Sequence, residues 1–312
     1  MGGRYLEPTT IEEAVALAAE HAPQARFVAG GTDLVVLARK SRTPLPDTLI
    51  AIHRISELRG VTAEADGSIR IAGGTTHAQL ESDPTILRSL TAIADGAALV
   101  GSPATRHVGT LGGNLCNASP ANETGSPLLV FGASVELASP SERRTFPLER
   151  FFVGPGETTR RSDELLVAVK VPPADQGGGV AAAGSAYLRL DYRLAMEIAV
   201  VGAAVAVALD GDGKVTDARL ALTAVAPMCV EVPGIAEALR GRQPTEEVLR
   251  EAERLAAEAA QPIDDVRAPA DYRQAMVPVV VRRAFRIAVR RALGEVVPVP
   301  ATLTVNGSSE VA

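Results

Sequence analysis

The sequence predicts an α+β protein: two small α/β units, then a C-terminal domain in which strands precede helices. Three observations carry this. Short apolar runs at 25–29 and 48–52 alternate with helical periodicity at 11–20 and 32–40, a β-α-β order with short spacers. A second series of short strands and helices runs from Val61 to Ser139. After the glycines at 177–179, three apolar strands lead into three amphipathic helices, the pattern of a segregated α+β domain.

Thr10 with Glu13 three residues on is a capping box, and Ile11, Ala14, Val15, Leu17 and Ala18 form one apolar helix face. Ala25–Ala29 is a short strand, and the helix over 32–40 ends before Pro44 and Pro46. Thr48–Ile52 is a buried strand. Asp66-Gly67 turns a hairpin between Val61–Ala65 and Ile69–Gly73. The run Gly73-Gly74-Thr75-Thr76-His77 is structural, with Thr75 or Thr76 capping a helix through Leu80. Periodicity predicts a helix over 86–100, a loop over 101–127, a strand over 134–139, a loop over 146–159 and a strand over 164–171. Gln176–Gly179 is a flexible link. Strands follow at 182–190, 197–209 and 215–225, the last two turned by Gly211-Asp212-Gly213, then helices at 233–239, 245–260 and 272–293. Five arginines (282, 283, 286, 290 and 291) recur along the last helix, as a solvated face or a subunit contact. Domains are therefore expected at 1–175, with subdomains of about 1–55 and 56–175, and at 180–295, with a loose tail at 296–312.

At 312 residues and 46% hydrophobic, the chain can build two or three cores. A net charge of −6 excludes a general nucleic-acid binder. No basic, apolar and cleavage-site pattern opens the chain, and the most apolar run, 194–209, carries Glu197 and is too short to span a bilayer. A soluble, cytoplasmic protein is expected. Cys116 and Cys229 are the only cysteines, so this chain cannot hold an iron–sulfur cluster or a four-cysteine zinc site. The sequence lacks G-x-G-x-x-G after a strand, a P-loop, H-E-x-x-H and G-x-S-x-G, and its four histidines have no metal-ligand spacing. No catalytic acid, base or nucleophile stands out.

What remains is a pair of glycine turns. Ala29-Gly30-Gly31-Thr32-Asp33-Leu34 follows a strand and opens a helix, which Thr32 or Asp33 can cap. Thr110-Leu111-Gly112-Gly113-Asn114 is followed by a polar run through Ser119 and Glu123 to the apolar Leu128-Leu129. Glycine lets backbone N–H groups approach a ligand, and a helix N-terminus behind such a turn favours an anion. Two such turns, meeting between the two units, would clamp one diphosphate.

These residues resemble a known family. AGGTDL at 29–34 and TLGGNLCNASPANETGSPLL at 110–129, with FFVGPGETTRRSDELLVAVKVP at 151–172 and YLRLDYRLAMEIAVVGAAVAV at 187–207, are similar to the flavoprotein subunits of the molybdenum hydroxylases. That group includes the medium subunit of carbon monoxide dehydrogenase and the FAD domain of xanthine dehydrogenase. The resemblance spans nearly the whole chain and implies a two-subdomain FAD-binding domain of the PCMH, or vanillyl-alcohol-oxidase, type followed by a C-terminal α+β domain with a three-stranded sheet. It implies that Ala29 to Asp33, with Leu34, lie on the FAD diphosphate, and that Thr110 to Asn114 lie on it and its neighbouring groups. Ser119 belongs to the same polar run. Glu123 stands where the family has an Asp on the ribityl or ribose hydroxyls. Leu166 matches an apolar residue near the flavin ring, Arg189 a Lys near the cofactor, and Val100 a position that is Phe in the xanthine enzymes.

The implied function is an FAD-binding electron-transfer subunit that takes electrons from [2Fe-2S] clusters and passes them to an external acceptor. Two partners are implied, a large molybdopterin-binding subunit and a small subunit with two [2Fe-2S] clusters, assembled as a dimer of heterotrimers. The cysteine-rich insertion of the 4-hydroxybenzoyl-CoA reductase branch is absent. The alternatives are a free-standing FAD-dependent oxidase or dehydrogenase of the same fold, for which Cys116 and His107 are the available flavin tethers, and a scaffold that has lost its flavin.

Overall fold

The computed structural model describes residues 3–39, 45–173, 182–193 and 195–301. The first unit is β1 (Arg4–Leu6), α1 (Ile11–His21), β2 (Ala25–Val28), α2 (Thr32–Arg39) and β3 (Thr48–Ala51), a parallel sheet in the order β1-β3-β2. Parallel neighbours need crossovers, and the two helices supply them. The Thr10 hydroxyl accepts from Glu13 N at 3.1 Å, and the Glu13 carboxylate accepts from Thr9 N at 2.9 Å. The reciprocal donor is thus one residue before the cap. Ile11, Ala14, Val15 and Ala18 bury against Ile50, Ile55 and Leu58, as the periodicity required. The short strand β1 carries no alternation that would have marked it in the sequence.

The second unit contains β4 (Val61–Ala63), β5 (Ile69–Ala72), α3 (His77–Ser82), α4 (Pro84–Ser89), α5 (Thr91–Leu99), α6 (Pro103–Val108), α7 (Leu111–Asn117), α8 (Gly125–Val130), β6 (Ser134–Ala138), β7 (Arg143–Pro147), β8 (Phe152–Gly154), β9 (Glu157–Thr158) and β10 (Leu165–Val171). Its five-stranded sheet, β4-β5-β10-β6-β7, is antiparallel throughout, and β8 and β9 pair separately. The unit is therefore α+β, because all six helices lie between β5 and β6 rather than alternating with strands. The helix expected over 86–100 breaks at Leu90, where φ −134° and ψ 44° leave the helical region. The loop expected over 101–127 holds α6, α7 and the start of α8. Ser102 and Thr110 cap the first two, accepting from Thr105 N and Gly113 N. Pro103 at the first helical position and the two glycines read as breakers in sequence, which hid both helices. The expected loop at 146–159 holds the β8–β9 hairpin.

The third sheet comprises β11 (Ala182–Leu190), β12 (Val201–Leu209), β13 (Val215–Thr223) and β14 (Val230–Glu231), in the antiparallel order β11-β12-β13-β14. The expected three strands are present, and the two-residue β14 adds a fourth. Glu197 precedes β12 and pairs with Arg193 at 3.1 Å instead of joining the strand. Helices α9 (Ile235–Leu239), α10 (Glu246–Ala259) and α11 (Ala270–Ala292) follow. At Gly184 a Cβ would fall 2.2 Å from the Ala288 carbonyl, so α11 lies directly on β11. The arginines of α11 are largely spent within the chain: Arg282 pairs with Glu253 at 2.6 Å, Arg286 with Glu246 at 2.9 Å, Arg290 with Glu295 and Arg291 with Asp95 at 2.7 Å. The Gln176–Gly179 link, Lys40 at the end of the second expected helix, Pro44 and the tail beyond Ala301 lie outside the described residues.

Buried polar groups join the third sheet to the second unit. Asp95, on α5, is fully buried. It accepts from Arg291 through both oxygens, from Tyr187 N at 3.0 Å and from Ala301 N at 3.0 Å. Tyr187, Ala204 and Ala221 of the sheet share one apolar core with Ile93, Leu115 and Leu128.

A buried carboxylate stripped of its partner costs about 3–5 kcal/mol. Arg291→Met is therefore expected to lower the unfolding free energy by about that amount, measured by denaturant titration, whereas exposed Arg283→Ala changes it by less than about 0.5 kcal/mol. Asp265 accepts from Arg267 at 2.6 Å and from buried Arg273, which hold its carboxyl well below the usual range. Its stabilising contribution is complete above the unfolded pKa of about 4 and is lost as pH falls further. Asp265→Asn should thus flatten the acid limb of stability against pH.

Candidate functional site

A cleft of about 620 Å³ opens between the first and second units. Ala29, Gly30, Ile52, His53 and Ile55 line it from the first, Gly74, Thr76, Gln79, His107, Val108 and Thr110 from the second, with Leu58 and Arg59 at the join. The two glycine turns do meet here. A Cβ on Gly30 would fall 2.0 Å from the Val108 carbonyl oxygen, so only glycine lets the first turn rest on the end of α6. Gly31 takes a φ of +69°, which also favours glycine. A Cβ on Gly112 would fall 2.7 Å from the Gly73 carbonyl. The third glycine pair, at 73–74, thus has the structural role expected of it, and Gly74 also lines the cleft.

The turns differ in their free donors. In the second, Leu111 N donates to Thr75 O, Gly112 N to Gly73 O, Gly113 N to the Thr110 hydroxyl and Asn114 N to Thr110 O. Its main-chain donors are used within the chain, against the expectation that both turns would offer theirs. What it presents is the Thr110 side chain and the exposed Gly113. In the first turn, no acceptor among the described residues takes the N–H of Gly30, Gly31, Thr32, Asp33 or Leu34; the first bond of α2 is Val35 N to Gly31 O. Neither Thr32 nor Asp33 accepts from the start of α2, so the expected cap is not made. Five backbone donors stand free around the N-terminus of α2, where the helix dipole adds to them.

A second group lies at the seam with the third sheet. Arg189 Nη1 donates to Glu123 Oε1 at 2.6 Å and to Leu99 O at 3.0 Å, and its Nε to Asp191 at 2.9 Å. The Tyr187 hydroxyl donates to Glu123 Oε2 at 2.5 Å. Burial pushes the Glu123 carboxyl up, while Arg189 and Tyr187 hold it down. Burial also raises the Tyr187 phenol well above its ordinary value, reinforced by Glu123. Burial works to lower the Arg189 pKa, but Glu123, Tyr187 and Asp191 outweigh it, and the guanidinium stays charged. Its Nη2 is buried with no partner among the described residues. A polar chain leads from here to the second turn: Asn114 Oδ1 accepts from the Thr124 hydroxyl at 2.7 Å, and Asn122 donates to Asn114 O at 3.0 Å.

Of the sequence-selected residues, Ala29, Gly30 and Thr110 share the cleft, while Gly31 to Leu34 and Leu111 to Asn114 belong to its two turns. Glu123 and Arg189 are brought together, and Val100 follows the Leu99 carbonyl that binds Arg189. Leu166 is buried under Gly73, and half-buried Ser119 caps its own turn by accepting from Ala121 N. Sequence reasoning passed over His53, Arg59 and Gln79 on the cleft wall and Tyr187 beside Glu123. The Gly-Gly-Thr repeat at 73–75 was the one signal pointing to that wall. His107 bonds through Nδ1 to Pro103 O, inside its own helix. Burial raises the Cys116 thiol and pushes Cys229 up to about 12, so neither is an activated tether. His77 is buried and pushed down to about 4, chiefly by burial and then by Arg106, and stays neutral.

Free main-chain donors beside an apolar wall of Ile52, Ile55 and Leu58 suit a dinucleotide with a diphosphate and flat ends. Residues 1–174 match the FAD-binding domain of molybdopterin dehydrogenases, and residues 186–288 the C-terminal domain of carbon monoxide dehydrogenase flavoproteins. The chain is 34% identical over 284 residues to the carbon monoxide dehydrogenase medium chain of Hydrogenophaga pseudoflava, spanning 91% of this chain and 96% of that one. It is 35% identical over 223 residues to the xanthine dehydrogenase FAD-binding subunit of Escherichia coli O157:H7, spanning 72% and 74%. The solved carbon monoxide dehydrogenase of H. pseudoflava, in a form lacking the Mo-pyranopterin moiety of its molybdenum cofactor, superposes with a TM-score of 0.86 at 32% identity, over 94% of this chain and 99% of that one. Fold, cleft and sequence agree: the chain belongs to the family of FAD-binding subunits of molybdenum-containing dehydrogenases, the oxidoreductases of the carbon monoxide and xanthine dehydrogenase type.

Proposed function

We propose that this chain is the electron-transfer subunit of a heterotrimeric molybdenum hydroxylase. A small partner with two [2Fe-2S] clusters delivers electrons that originate at a molybdopterin cofactor on a large partner, and this chain passes them to an external acceptor. The usual assembly of the family, a dimer of heterotrimers, is proposed for it too. No described helix is long and apolar enough to cross a membrane. We place the FAD-binding domain at 1–175 and the C-terminal domain at 180–295.

The observation that carries the reading is the set of five unclaimed N–H groups from Gly30 to Leu34 on a turn that lines the cleft. They would bind the FAD diphosphate without any charged side chain. Thr110 and Gly113 would hold it from the second turn, with Asn114 behind them. Bound FAD supplies the redox-active ring; the protein supplies position and electrostatics. The seam residues Glu123 and Arg189, with Val100 and Ser119 nearby in sequence, would form the other end of the site, and Leu166, under Gly73, would pack near the flavin ring. Arg189, fixed by two carboxylates, would offer its unpartnered Nη2 to the cofactor and would keep a positive charge there. A free-standing enzyme would need a substrate acid or base, and the buried titratable groups at this seam are already engaged with one another.

Affinity capture of the chain from its own cells should yield flavin absorbance, molybdenum, iron and two further chains; a lone yellow protein without metals would overturn the subunit reading. Gly30→Val and Gly112→Val would drive a side chain into backbone, so Gly113→Val is the cleaner test, since a Cβ there meets only the Thr110 hydroxyl, at 3.0 Å. It should weaken FAD by roughly tenfold or more, the equivalent of about 1.4 kcal/mol, with the apo-chain melting unchanged. Glu123→Ala leaves Arg189 charged and buried without its main partner. It should lower the denaturation midpoint and loosen FAD together, whereas flavin lost at an unchanged midpoint would assign the carboxylate to the cofactor alone.

A further inference from the structure

A second cavity, of about 230 Å³, lies along β2, the edge strand of the first sheet. Arg26, Phe27, Arg160 and Ser162 line it, with the rings of Pro23 and Pro46. No residue of the two glycine turns lines it.

 The cavity is separate from the cleft, and the two share no lining residue.

Its charge is unbalanced. Arginines elsewhere in the chain are mostly ion-paired, as Arg144 is with Glu164, Arg219 with Glu231 and Arg291 with Asp95. Arg26 is in register with Leu49 of β3, but its exposed side chain makes no ion pair or hydrogen bond with any described residue. Arg160 donates through Nη1 to the carbonyls of Arg161 at 2.9 Å and Glu164 at 2.7 Å, and it meets no carboxylate among the described residues. Two guanidiniums without counter-ions thus line one small cavity that has no acidic residue in its wall. Guanidinium is weakly hydrated and matches a carboxylate in two-point geometry. Phe27 and the two proline rings supply flat apolar walls, and Ser162 a hydroxyl. The volume is below the roughly 300 Å³ at which sites for drug-sized ligands begin.

We propose that this cavity binds a small, flat organic carboxylate, held by Arg26 and Arg160 and packed against Phe27. The site adjoins the first glycine turn, because Phe27 lies two residues before Ala29. A ligand bound there stabilises the native chain by mass action.

The test uses the full chain saturated with FAD, so that the cleft is filled, with benzoate as the probe and sodium chloride and acetate at matched ionic strength as controls. Benzoate should raise the melting temperature saturably, and chloride should not. Acetate should act more weakly, because it lacks a body to pack on Phe27. Arg26→Gln should melt normally without benzoate, since Arg26 has no partner to lose, and should bind benzoate about tenfold or more weakly, as expected for one lost charged hydrogen bond of about 1.5–3 kcal/mol. A benzoate effect equal to that of chloride, or one unchanged in Arg26→Gln, would overturn the proposal. Neither outcome depends on the FAD assignment, which is read separately from flavin content.

Discussion

The contact on which the rest of the structure depends is the buried ion pair between Glu123 and Arg189. It joins a polar loop of the second unit to the first strand of the third sheet, and both side chains are almost wholly excluded from water. A buried pair of this kind adds little net stability over an apolar one, but it does not tolerate the loss of either member. Its value is in placement. Tyr187, Asp191 and the Leu99 carbonyl complete the hydrogen bonding, so the guanidinium can adopt only one orientation. The seam is therefore set by the docking of the third sheet, and neither half of the chain could form it alone.

The cleft between the first two units rests on sterics. Three glycine pairs stack in sequence of contact: Gly30 on Val108, Gly112 on Gly73, and Gly74 on Leu58. Each contact brings backbone against backbone at distances that no side chain permits. This stacking uses up the main-chain donors of the second turn and leaves those of the first open. Two turns that look equivalent in sequence thus do different work. One offers its amides, and the other supports it and shapes the cleft.

Much of this was legible in the sequence. The β-α-β order of the first unit, the hairpin at Asp66-Gly67 and the strands and helices of the last domain follow from local patterns, because each is made by residues close in sequence. The meeting of the two glycine turns was also anticipated. Helices α6 and α7 were hidden by Pro103 and Gly112-Gly113, which signal turns unless their capping hydroxyls, Ser102 and Thr110, are weighed as starts. The antiparallel pairing of β5, β10 and β6 was not readable, since those partners lie far apart in the chain. Glu123 shows the same limit. Its position marks it as polar and near the cofactor turns, but its partners, Tyr187 and Arg189, are more than sixty residues away.

Asp95 shows what this long-range wiring asks of a newborn chain. Its carboxylate is completed by Tyr187, Arg291 and Ala301, the last two being 196 and 206 residues downstream. Synthesis runs from the N-terminus, so α5 leaves the ribosome long before its counter-ion exists. Until then the carboxylate must keep its water, and the face of α5 that carries it stays open. Closure of the second unit against the third sheet is thereby deferred until the last helix has been made, and chains cut short before Arg291 carry an exposed, incomplete seam that quality control can recognise.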